Sequence, residues 1–267
     1  MIKVKAVEIN TIRKRNIIFL ISLTFLAFLT VLAMNLTDYD PAKAIVSVPK
    51  ALIWMFTGFI PNKDSLAKLP DIISKMIETI FLSITATTTA SIFSLIFSLF
   101  GSETTKINNI LTVVVRFIAS IFRNVPDVVW SMILLFSFGQ NILTGYFALF
   151  FVTFGTLTRA FIEAIDESSY EVVEALQTTG ASYFQVVAQG VIPSTFPQIL
   201  SWILFMIETN IRSSALIGLL TGTGIGFLFN IYYKTMQYNI AGLVVIAMII
   251  SVLIIETLSN YIRRVIL

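Results

Sequence analysis

The chain has no cysteine and no histidine among its 267 residues. Without thiolates or imidazoles it has no disulfide framework, no Cys- or His-based metal site and no catalysis by either side chain. Charge is also scarce: 12% of residues are Asp, Glu, Lys or Arg, against about 25% in ordinary soluble domains. No G-x-x-x-x-G-K-[ST] loop occurs, so the chain cannot cradle ATP phosphates in that way. The net charge is only +3, and the basic residues flank apolar runs instead of forming a patch, which excludes nucleic acid as a natural partner.

What the chain has in abundance is apolar sequence: 57% hydrophobic residues and a mean hydropathy of +0.89. A helix needs about 20 mostly apolar residues to cross a bilayer, and roughly six such blocks are present. These predict an all-α membrane protein of about six transmembrane helices. Residues 1–75 are expected to form an N-terminal transmembrane helix plus an extracytoplasmic interfacial segment, and residues 76–267 the main membrane core.

Lys3, Lys5, Arg13, Lys14 and Arg15 precede the apolar run Ile17 to Met34. A secretory signal peptide is the alternative, with Val31-Leu32-Ala33 as a cleavage site. The length of the run and the membrane character of the downstream chain favour a retained helix with a cytoplasmic N-terminus. Between residues 35 and 75, the apolar piece Ala44 to Phe59 is broken by Pro49 and Gly58 and is too short to span, so it reads as an interfacial helix on the outer face. The five lysines of this segment run against the positive-inside bias, which is weakest for long external segments.

In the second block, Ile77 to Phe100, Ser83, Thr87, Ser91, Ser94 and Ser98 draw one small polar stripe. Close helix packing is favoured over a pore-facing role. The third block, Asn109 to Phe138, is interrupted by Arg123-Asn124-Val125-Pro126-Asp127, where Pro126 cannot continue the helical bonding. Either this charged kink lines water or is buried in protein, or Arg123 snorkels to the interface. The fourth block, Tyr146 to Ile165, carries Arg159 and Glu163 at ion-pair spacing.

The fifth block, Phe196 to Leu216, holds Glu208, Asn210, Arg212 and Ser213, with Glu208 and Arg212 one turn apart. Charges so deep mark either a transport path or a neutralised pair tying helices together. Gly218, Gly222, Gly224 and Gly226 follow at once; with no βαβ context they are no dinucleotide loop, and a flexible break or re-entrant turn at the outer mouth is expected. The sixth block, Ile240 to Leu258, ends at Arg263 and Arg264, a cytoplasmic terminus.

Between the fourth and fifth blocks lies a polar stretch, 169–193. It predicts a short amphipathic helix carrying Val172, Val173 and Leu176, a turn at Gly180, a second short helix with Tyr183, Phe184, Val186 and Val187, and a helix restart at Pro193. An apolar-faced elbow at a membrane surface suits docking of a soluble partner.

Glu174-Ala175-Leu176, Gly180 and Gly190-Val191-Ile192-Pro193 resemble the coupling loop of ABC importer permeases: EAA, three residues, G, nine residues, I-x-L-P. Leu176 stands for the second Ala, Gly190 for Ile and Ile192 for Leu. The stretch Glu208 to Phe227, ETNIRSSALIGLLTGTGIGF, is similar to the E-x-N-I-R-S-A region of the phosphonate branch of the methionine-permease-like superfamily. Ser214 stands where Ala is usual, and Thr223 lies within the Gly cluster. The Arg123 to Asp127 break is also similar, and the likeness covers about residues 70–265.

The resemblance implies a permease, not an enzyme: one subunit of an ATP-driven importer of phosphonate, phosphite or a phosphate ester. It also implies a bacterial plasma-membrane homodimer with both termini cytoplasmic. Two ATPase subunits would bind ATP and Mg, and an extracytoplasmic binding protein would deliver the cargo. Glu174, Ala175, Leu176, Gly180 and Pro193 would couple to the ATPase. Arg123, Asn124, Pro126, Glu208, Asn210, Arg212 and Ser213 would line the path, and Gly218, Gly222, Gly224 and Gly226 would form a gate or hinge. Import of another small solute is the alternative. A secondary transporter is weaker, because no repeated halves are visible, and an intramembrane enzyme lacks any nucleophile–base cluster.

Overall fold

The computed structural model describes residues 2–266, with side chains from 13 to 265. The side chains of Lys3 and Lys5, counted in the N-terminal basic cluster, lie outside the described residues. All regular elements among those described are helices. They divide into two compact units, 1–57 and 58–267.

The first unit contains α1 (Ile2–Leu36) and all but the last residue of α2 (Pro41–Gly58). The stretch Arg13–Leu36 of α1 has a mean hydropathy of 2.7 and is unburied, as a lipid-facing span would be. The expected break at Pro49 is absent: α2 runs through it. Proline there leaves only the carbonyl of residue 45 without its helical partner.

The second unit begins with α3 (Lys63–Leu66) and α4 (Leu69–Gly101). α4 starts inside the segment assigned to the outer face, because Pro70 sits in its first turn, where a missing N–H has no partner to lose. Then come α5 (Asn109–Asn124), α6 (Asp127–Phe138) and α7 (Ile142–Ser168). α8 (Tyr170–Thr178), α9 (Tyr183–Gln185) and a π-helical turn (Val186–Val191) form the elbow. α10 (Ile192–Thr221), α11 (Gly224–Lys234) and α12 (Tyr238–Ile266) complete the chain.

Among the described residues, five helices are long and apolar enough to cross a membrane, and α5 with α6 makes a sixth only as a pair bent by 91°. The break expected in the third span at Arg123–Asp127 is therefore present, and the chain folds nearly at right angles at Val125-Pro126. Aromatic rings pack around the bend: Phe122 stacks on Trp130 with centroids 5.4 Å apart, and Phe151 and Phe154 close on Phe122.

α7 is the central helix, packed on α4, α5, α6 and α10. The stripe on α4 is buried throughout, which bears out packing as its role. Ser94 donates to the carbonyl of Phe154 (3.0 Å), Ser83 meets Ser214, and Ala86 and Ala90 let the neighbouring helices approach. Gly155 is a second contact point. A Cβ there would stand 2.5 Å from the backbone nitrogen of Arg123, so α7 crosses α5 backbone to backbone just before the bend.

Candidate functional site

The elbow forms as two short helices around Gly180, whose φ of +79° is the left-handed conformation that ends α8. Ser182 and Gln185 make a capping box that starts α9. Val173, Val186 and Val191 are buried with Ile165, and this cluster anchors the elbow to the end of α7. Glu174, Ala175 and Gly180 lie exposed, as do Tyr170 and Phe184, the latter 82% exposed.

Two features differ from expectation. The first is that Pro193, although it lies in the first turn of α10 as the sequence predicts, follows no break: α9, the π-helical turn and α10 are continuous from Tyr183 to Thr221. The wide turn explains it, since Ile192 donates five residues back to Val187, and the loosened ladder spares Pro193 the usual clash with the carbonyl four residues earlier. The second concerns Leu176 and Gly190. A Cβ on Gly190 would stand 2.8 Å from Leu176 Cδ1, so the larger residue at 176 occupies the room left by the smaller one at 190.

A network unforeseen from the sequence locks the base of the elbow. Asp166 Oδ1 accepts from Ser102 Oγ (2.5 Å), Thr104 N and Thr104 Oγ1 (both 3.1 Å), and Oδ2 faces Arg116 at 3.3 Å. Arg116 also donates to the Gly101 carbonyl at 2.8 Å. The loop between α4 and α5 is thereby held to the last turn of α7, beside α8. In that loop the Lys106 ammonium, 2.7 Å from Glu103, holds the Glu103 carboxyl below its usual range, with Arg116 adding to the effect. The only sequence signal for this network was that Glu103, Lys106 and Asp166 stand at the ends of apolar blocks, while Arg116 lies inside the third.

The residues expected on a path fall into three places. Arg123, Asn124 and Pro126 are exposed at the α5–α6 bend, where Asn124 donates to the Ser120 carbonyl at 2.8 Å. Among the described residues no carboxylate lies within ion-pair distance of Arg123. Asn210 is instead buried, with its amide donating to Thr87 (2.8 Å) and Thr153 (2.7 Å), so it joins α10 to α4 and α7. Ser213 is half-buried.

Glu208 and Arg212 meet as their spacing predicts, at 2.7 Å. The carboxylate has a further partner that sequence reasoning assigned only to a terminal charge: Arg263 of α12 approaches its other oxygen at 3.7 Å. Arg159 and Glu163 form the expected pair at 3.0 Å, both well exposed.

The glycine cluster turns the chain so that α11 packs on α10, α12 and α4. Gly222 (φ 71°) and Gly224 (φ 60°) occupy left-handed conformations. The flexibility expected of the cluster does not match the surroundings of the other two. A Cβ on Gly226 would lie 1.9 Å from the Ala215 carbonyl oxygen, and one on Gly218 would lie 2.4 Å from that of Thr223. These glycines are contact points in a tight helical hairpin. Glu78 and Thr79 of α4, both absent from the sequence-based site, cap α11 by accepting from Gly224 N (3.1 Å) and Ile225 N (2.9 Å).

Among the described residues, five apolar spans, a sharply bent sixth and an anchored elbow define a multi-pass helical membrane protein. The chain belongs to the family described as binding-protein-dependent transport system inner membrane component, whose model matches residues 94–267. It is thus a permease-type membrane component and not itself an enzyme.

Among its relatives, the phosphite transport system permease protein PtxC of Stutzerimonas stutzeri is 28% identical over 192 residues, covering 72% of this chain and 70% of the relative. The phosphate-import permease protein PhnE of Mycolicibacterium smegmatis is 26% identical over 239 residues, covering 89% of this chain but only 44% of the relative. The fold is shared with solved transporters. An amino acid ABC transporter chain matches with a TM-score of 0.64 at 17% identity, covering 74% of this chain and 95% of that one. The MetNI methionine ABC transporter in an inward-facing conformation gives 0.61 at 19% identity, covering 74% and 98%.

Proposed function

We propose that this chain is the permease subunit of an ATP-driven importer for phosphonate or a related phosphorus oxyanion, such as phosphite or a phosphate ester. The anion class is supported by the relatives, which are named as phosphite, phosphate and phosphonate permeases. The observation that carries the ATP-driven part is the elbow, an anchored helix–turn–helix matching the coupling pattern at Glu174, Ala175, Gly180 and Pro193 and presenting Phe184 outward.

In this reading a soluble ATPase receives the elbow, with Leu176 supporting it from beneath. The elbow end is then cytoplasmic, as are both termini, in a bacterial plasma membrane. The ATPases hold ATP and Mg, an extracytoplasmic binding protein delivers the anion at the other end, and a second copy of the chain completes the path. Closure of the ATPases rocks the elbows and alternates access, a two-state equilibrium biased by nucleotide. Arg123 and Arg212, both exposed, offset the charge of the passing anion. The glycine hairpin, Gly218 to Gly226, forms part of the outer gate and moves as one piece.

The test is reconstitution in vesicles with the partner ATPase and binding protein. ATP-dependent uptake of phosphite or methylphosphonate is expected, and Phe184→Asp is expected to abolish ATPase co-purification while the permease remains folded. Uptake by the chain alone, driven by an ion gradient, would overturn the reading.

A further inference from the structure

Glu208 stands between two arginines that are held very differently. Arg263 is fixed to its own helix, donating to the Ser259 carbonyl (3.4 Å) and Asn260 Oδ1 (3.0 Å) as well as facing Glu208. Arg212 is held by Glu208 and leaves 59% of its side chain exposed, while the Glu208 side chain is only 12% exposed. Each arginine also faces its own cleft. Arg212 lines one of about 440 Å³ whose other walls are apolar, among them Ala215, Leu216, Met248 and Val252. Arg263 lines another of about 280 Å³ with Gln198, Ser201 and Trp202, nearer the elbow end of α10.

A nearly buried carboxylate is stable only while it is paired, because an uncompensated buried charge is strongly destabilising. With one oxygen on each arginine, Glu208 can release Arg212 and keep Arg263. The more exposed cation can therefore change anions without stranding the carboxylate.

We propose that Glu208 is a positioning residue that acts as a built-in counter-anion: it occupies Arg212 when no cargo is present and yields it to an entering oxyanion, falling back on Arg263. This rests on the reading of Arg212 as a cargo contact. The consequence is an internal competition. An anion sees Arg212 only in the fraction of molecules where Glu208 has let go, and its apparent affinity is reduced by that fraction. Weak holding suits a path, since an anion bound too well to a bare arginine would not leave.

Equilibrium binding of radiolabelled phosphite to the purified permease–ATPase complex, without binding protein, tests this directly. Removing the competitor in Glu208→Gln is expected to raise phosphite affinity about tenfold, as for a competitor that fills its site roughly nine-tenths of the time, and to slow maximal uptake. Glu208→Asp is expected to return both values toward the original. Arg263→Gln, which leaves the carboxylate to Arg212 alone, is expected to weaken phosphite binding in the assembled complex. A merely structural Glu208 could lower assembly but not raise affinity.

Unchanged affinity in both Glu208→Gln and Arg263→Gln, with binding lost in Arg212→Ala, overturns the exchange alone. Unchanged binding and uptake in Arg212→Ala overturns the exchange together with the cargo role of Arg212.

Discussion

Leu176 and Gly190 show how two departures from a family pattern can be one structural fact. Each alone reads as a mild swap, yet the leucine side chain fills the space a side chain at 190 would need. Gly190→Ile should destabilise the chain by about 1–3 kcal/mol through overpacking, and Leu176→Ala by about 2 kcal/mol through a cavity. The double variant should lose less than the sum, by about 1 kcal/mol or more. Thermal unfolding of the four proteins in one detergent measures the coupling, and strict additivity would refute it. Asn210→Ala, which removes two cross-helix bonds, should lower stability by about 1–2 kcal/mol in the same assay. The Glu208–Arg212 pair was legible because helical spacing alone brings i and i+4 together. Arg263, Asp166 and Glu78 were not, since their partners lie far along the chain and only the packing of separate helices unites them.

At the level of elements, apolar length located the spans and proline located the break in the third, but neither gave its angle. The 91° bend depends on Phe122, Trp130, Phe151 and Phe154 closing around it and on Gly155 letting α7 touch the α5 backbone. An isolated glycine in an apolar block was the one available hint. The 218–226 stretch misleads for a related reason. Glycine signals both freedom and close approach, and only the neighbours tell which applies. Because a Cβ on Gly226 would meet a carbonyl oxygen and not a flexible side-chain end, Gly226→Ala should cost about 3 kcal/mol. A drop of about 5 °C or more in the unfolding midpoint is expected, and an unchanged midpoint would restore the flexible-hinge reading. Pro49 and Pro193 carry the opposite lesson: a helix runs straight through the one, and a wide turn removes the clash at the other.

For the whole molecule, the absence of cysteine becomes an experimental advantage. Single cysteines placed at Phe184 (82% exposed) and Met236 (75% exposed) are each the only thiol in the chain. With the elbow end facing the cytoplasm, a membrane-impermeant maleimide should label Met236→Cys in intact cells and Phe184→Cys only after permeabilisation. Labelling of Phe184→Cys from outside would invert the topology. The family layout was readable because the coupling pattern is a fixed register of a few residues. The depth and partners of the charged groups had to come from the assembled helices.

Asn210 also bears on how such a molecule can move. A single side-chain amide fastens three long rods, α4, α7 and α10, at one level, so α10 cannot shear past both neighbours without breaking both of its grips, nor past either without breaking one. Transport would then resemble a door swinging on its frame more than an iris closing. The travel belongs to the seams around this trio, and a bridge that welds those seams should arrest the cycle while leaving the trio itself undisturbed.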